Sequence, residues 1–123
     1  MFKFKYTPEF VANLPYDKMT TKQILWHCKQ HWKENIAALE LGFSINSDSA
    51  VCPCCQCPTF KCKWMRHMDK KLGMLCPLWV YGSCCGGNYK WHELAITAGD
   101  DEKEISDSAQ AIYRFILDKW KEA

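Results

Sequence analysis

No stretch of this 123-residue sequence holds the roughly 18 consecutive apolar residues that a membrane-crossing helix requires, so no membrane span is expected. The opening residues, MFKFKYTPEF, lack the apolar core of a secretory signal, and the chain is expected to stay in a reducing compartment. Internal repeats, low-complexity tracts and long linkers are missing as well, which leaves one domain over 1–123. A net charge of only +2 argues against a dedicated nucleic-acid binder on charge alone. Two catalytic signatures are absent: His27 and His31 lie four apart without the Glu of H-E-x-x-H, and no H-x-E precedes a P-C-x-x-C. A hydrophobic share of 48% excludes wholesale disorder.

What the sequence does have is sulfur and indole, nine Cys and six Trp. Cys28 stands alone, and the other eight crowd between residues 52 and 85. An odd count without an export signal disfavours a disulfide framework. Packing as a small hydrophobe suits Cys28, which falls on an apolar helical stripe. It suits VCPCCQCPTFKC poorly, since that run offers little to bury. Metal ligation accounts for the clustering best. Cys52 and Cys55 form a C-x2-C, the spacing that lets two thiolates take adjacent corners of a tetrahedron. Cys62 and Cys76 complete a closed set of four thiolates, with Cys84 or Cys85 able to replace either, which points to structural Zn²⁺, with iron–sulfur the poorer fit. Cys54, Cys57, Cys85 and His67 are alternates, or ligands of a second ion. One zinc is the simpler count, and it would supply folding energy on the order of 10 kcal/mol to a domain with much loop.

Periodicity gives the frame. Phe2, Phe4 and Tyr6 alternate with Lys3 and Lys5 as in a strand, and Thr7-Pro8 reads as an N-cap and first helical residue. Together these make an N-terminal strand and short helix over 1–19. Thr20 and Gln23 have capping-box spacing, opening a helix over 20–42 whose apolar stripe is Ile24, Cys28, Trp32, Ile36 and Leu39, with Gly42 as its stop. A loop from 43 leads into a Cys-rich metal centre over 50–92. Within that centre, 63–74 reads as a short helix and 75–81 as extended. Residues 89–98 read as helical, and a final helix over 100–122 shows Ile105, Ala109, Ile112, Ile116 and Trp120 on one face. The expected fold is mainly α, a small α+β domain in which two longer helices bracket a zinc-stapled irregular centre.

Charge is unevenly distributed. Residues 52–92 carry six basic residues against Asp69 alone, whereas 93–123 carry eight acidic residues against four basic ones. Lys61, Lys63, Trp64, Arg66, Lys70 and Lys71 therefore form a candidate nucleic-acid patch, in which cations meet phosphates and Trp64 or Tyr81 stacks on bases. The alternative partner is a host protein, bound through exposed Trp and the acidic C-terminal half. His92 and Glu93 beside a metal would make a hydrolase, but a cysteine-dominated set is closed and structural, so no enzyme and no small-molecule substrate are expected.

The helix segment His31-Trp32-Lys33-Glu34-Asn35, the Cys52/Cys55 pair, Cys76-Pro77, Cys84 and the C-terminal helix resemble a group of small cysteine-rich bacteriophage proteins. The likeness runs over roughly residues 24–120. Gly73 stands where that group has the first Cys of its second pair, leaving Cys62 to fill the vacancy. The resemblance implies an accessory protein acting in the cytoplasm of an infected bacterium, and no mechanism.

Overall fold

A computed structural model describes residues 2–46, 49–61, 74–75, 77–78 and 102–123. The protein is mainly helical, and four α-helices organise the described residues: α1 (Pro8–Ala12), α2 (Thr21–Glu40), α3 (Pro53–Gln56) and α4 (Glu102–Glu122). Two short strands, β1 (Phe60–Lys61) and β2 (Met74–Leu75), form a parallel two-residue ladder in the register Phe60 to Met74. None of the described helices is long and apolar enough to cross a membrane.

Local chemistry sets the helix ends. The Thr7 hydroxyl accepts from the Phe10 amide at 3.2 Å, and Pro8 follows at the first helical position. Thr20 and Gln23 form a reciprocal capping box, with Thr20 Oγ1 accepting from Gln23 N and Gln23 Oε1 accepting from Thr20 N. At the far end of α2 the chain turns through Gly42 at φ 83°, and the Phe43 and Gly42 amides donate to the Ala38 and Leu39 carbonyls. That pair of bonds is a Schellman stop, which needs the left-handed backbone that glycine adopts without strain.

The inner stripes of α2 and α4 meet. Ile24, Leu25, Cys28 and Trp32 of α2 share one apolar cluster with Ala109, Ile112 and Ile116 of α4. Cys52, Cys54, Cys55, Cys57, Phe60 and Leu78 complete the same cluster, so the cysteine segment is built into the main core. Tyr6, Val11 and Val51 form a smaller one beside it.

Two elements differ from the sequence expectations. Residues 2–6 keep the alternation of exposure, with Tyr6 buried and Lys3 and Lys5 exposed, but they belong to no strand. Their amides are met by a side chain instead: the Glu34 carboxylate accepts from Lys5 N at 2.7 Å and from Tyr6 N at 3.2 Å. The segment after 43 also holds more structure than a loop, with a 3₁₀ turn at Ser49–Val51 leading into α3. Cys52 caps α3 and Pro53 occupies its first position. The expected helices at 63–74 and 89–98 and the extended run at 75–81 lie wholly or mostly outside the described residues.

Candidate metal centre and basic face

Every cysteine of the described residues is buried. Cys28, Cys52, Cys54 and Cys57 stand outside any disulfide. Cys55 is disulfide-bonded. A disulfide sulfur is not a thiolate, so the expected Cys52/Cys55 pair requires that bond to be reduced before it can ligate. Cys62, Cys76, Cys84, Cys85 and His67 also lie outside the described residues.

The unexpected participant is Cys28. Set on the inner face of α2, it brings its Sγ to 3.2 Å from Cys54 Sγ, hydrogen-bonded across 26 residues of sequence. Burial by itself would raise the Cys28 thiol. Hydrogen bonds with the Cys52 side chain and with the Cys54 side chain and backbone reverse this, holding it well below its ordinary range. His31 adds nothing at neutral pH, because it is itself uncharged there. Cys57 is fully buried, with Thr59 Oγ1 at 3.0 Å from its sulfur. Tyr16 belongs to the same buried cluster. Burial first, then the charge of Cys28, Cys52, Cys57 and Cys54, pushes its phenol up, and its hydroxyl donates to the Val11 carbonyl at 2.6 Å. Among the described residues, no three His, Cys, Asp or Glu side chains are already arranged to hold a metal ion. The sulfurs are close, but not at ligation geometry.

The helical histidines take separate roles. His27 Nδ1 shares a 2.8 Å hydrogen bond with the Tyr6 hydroxyl, and burial lowers its pKa. His31 is buried, with an Nδ1 that has no hydrogen-bond partner. Burial pushes its pKa down to about 4, against the opposing influence of Cys28 and a hydrogen bond to the Asn46 backbone.

A second feature lies on the outer face of α2. Lys22, Trp26, Lys29 and Lys33 recur at four-, three- and four-residue steps, which aligns them along one side of the helix. Lys22 Nζ lies 5.0 Å and Lys29 Nζ 5.2 Å from the Trp120 ring centre, and Lys29 also lies 5.9 Å from that of Trp26. Burial, and then the neighbouring Lys33 charge, lower the Lys29 pKa. Trp26 remains 37% exposed beside an open groove of about 310 Å³ lined by Pro15, Met19, Gln23 and His27. Of the expected basic patch, Lys61 lies in β1, while Lys63, Trp64, Arg66, Lys70 and Lys71 are outside the described residues, as are His92 and Glu93. The α2 face was readable from the helical spacing of its lysines. The contribution of Trp120 was not, because it comes from a helix some 90 residues away in sequence.

No family model matches the chain, nor does any curated protein or solved structure.

Proposed function

We propose that this protein is a non-catalytic, zinc-stabilised binding module that contacts single-stranded nucleic acid, working in the cytoplasm of a phage-infected bacterium. The observation that carries the staple is the approach of Cys28 and Cys54, two buried sulfurs from distant elements, to 3.2 Å. Buried sulfur gathered from two elements is the raw material of a structural zinc site. The nucleic-acid reading is supported by the face built from Lys22, Trp26, Lys29, Lys33 and Trp120. Lysines on such a face meet phosphates, and an exposed indole stacks on bases whatever their sequence. A polyanion would also relieve the repulsion between Lys29 and Lys33.

Two measurements test this reading. Metal analysis of the purified protein is expected to give one zinc per chain. Titration with a fluorescent single-stranded oligonucleotide is expected to show affinity falling steeply with salt. Replacing Lys22, Lys29 and Lys33 together by Ala should flatten the log–log salt slope by about 2, at roughly 0.7 per phosphate contact on a single strand. Trp26→Ala should weaken binding by about 1–3 kcal/mol at every salt concentration. Binding that ignores salt overturns the nucleic-acid reading, as does retention of one host protein with no oligonucleotide bound. The latter outcome moves the function to host-protein inhibition.

A further inference from the structure

We infer that Cys28 is a metal ligand, closing a four-sulfur site with Cys52, Cys54 and Cys57 that pins α2 to the cysteine segment. This assignment rests on the zinc reading above and replaces its ligand set.

The argument is geometric. Cys54-Cys55-Gln56-Cys57 is a C-x2-C one register later than Cys52/Cys55, and α3 carries it. Its first sulfur is the one Cys28 touches, at 3.2 Å. The adjacent corners of a zinc–thiolate tetrahedron with bonds near 2.3 Å are roughly 3.8 Å apart. Loading an ion would spread this pair by only about half an ångström, and would have to draw in the Cys52 and Cys57 sulfurs as well, since no three of these side chains already surround a common point. All four cysteines lie in one buried cluster. Thr59, whose hydroxyl meets Cys57 Sγ at 3.0 Å, can donate to that sulfur once it is a thiolate, a supporting contact of the kind that fixes ligand orientation. The set also leaves out Cys55. With Cys28 in its place, the Cys55 disulfide and a bound ion coexist, whereas a Cys52/Cys55 pair makes them exclusive.

The test compares zinc binding by the full-length wild-type chain, Cys28→Ser and Cys55→Ser, by competition with a chromophoric chelator. Losing a merely supporting group costs roughly 10–100-fold in metal affinity. Cys28→Ser is expected to exceed that loss, while Cys55→Ser stays within about 3-fold of wild type. If Cys28→Ser binds like wild type while Cys55→Ser does not, this assignment is overturned and the zinc reading stands on other ligands. If wild type itself binds no metal, the zinc reading falls, and this assignment with it. Should Cys28→Ser fail to fold, the wild-type chain loaded with ¹¹³Cd decides. Scalar coupling from the β protons of Cys28, Cys52, Cys54 and Cys57 to cadmium is expected, and its absence at Cys28 overturns the assignment.

Discussion

Consecutive residues of α2, Glu34 and Asn35, hold the two chain segments that flank the helix. Glu34 takes two amides of the N-terminal segment. The Asn35 side chain donates to the Asn46 carbonyl at 3.0 Å and accepts from the Asn46 amide at 2.9 Å, substituting for a strand partner. Asn46 in turn reaches the Tyr6 carbonyl. This explains why polar residues sit in the His31-Trp32-x-x-Asn35 segment: Asn35 is fully buried because backbone uses its whole amide. Asn35→Ala removes both bonds to the part-buried Asn46 backbone, so a loss of about 1–3 kcal/mol is expected in urea unfolding at unchanged m. Asn35→Asp spares the acceptor but sets a buried carboxylate oxygen against the Asn46 carbonyl, and should cost at least as much. His31 sets a pH dependence. Its folded pKa of about 4 lies below the unfolded value near 6.5, so the unfolded chain takes up a proton first as pH falls. The stability it contributes is complete above pH 6.5 and drains away toward pH 4, by about 3 kcal/mol at the end of that window. In an NMR titration the His31 ring signals should stay fixed from pH 7 to pH 5. Movement centred near 6.5 would show that the ring is solvated.

At the scale of elements, the ends of α2 were legible because caps act locally. The Thr20–Gln23 spacing and Gly42 specify their bonds with no help from the rest of the chain. Nothing lies within 4 Å of a Cβ built on Gly42, so Gly42→Ala tests the backbone conformation alone. It is expected to lower stability by about 1–2 kcal/mol, with Gly42→Asn losing less than half of that. Equal losses would mean that the left-handed turn matters less than the sequence at that position. Tertiary partners are what the sequence hid. Phe2, Phe4 and Tyr6 alternate as a strand does, but alternation reports a half-buried extended chain and says nothing about a ladder, and Glu34 supplied the acceptors here. Cys28 read as a packing residue because its stripe is apolar. Only folding brings Cys54 onto that stripe. The α3 turn lies in a stretch that reads as loop, because four residues are too few for any periodicity to show. In the same way C-x2-C occurs twice in overlapping registers, at 52/55 and 54/57, and spacing alone cannot rank them.

At the scale of the whole molecule, one core dominates among the described residues, and that core does not separate helix packing from sulfur. Ile112 and Ile116 of α4, Trp32 of α2 and the sulfurs of Cys54 and Cys57 belong to a single cluster. Ile112 is fully buried there. Removing its side chain to Cβ should cost about 2–5 kcal/mol, as large-to-small core changes do. Because the cavity opens in the cluster that also holds the cysteine segment, the loss should not stay with α4. Far-UV ellipticity follows the two long helices, while tryptophan fluorescence, the sum of six indoles, follows tertiary packing, including that around Trp32 in this core. In wild type and in Ile112→Ala alike, the two signals should therefore fall together on heating, with the variant's shared midpoint lower. Adding a strong chelator should move both midpoints down again. The chelator's effect should be smaller in Ile112→Ala than in wild type, since neighbours in one cluster do not add. Fluorescence that fell first on chelation, with helix content intact, would mean that α2 and α4 hold each other without the cysteines and that the core is two units rather than one.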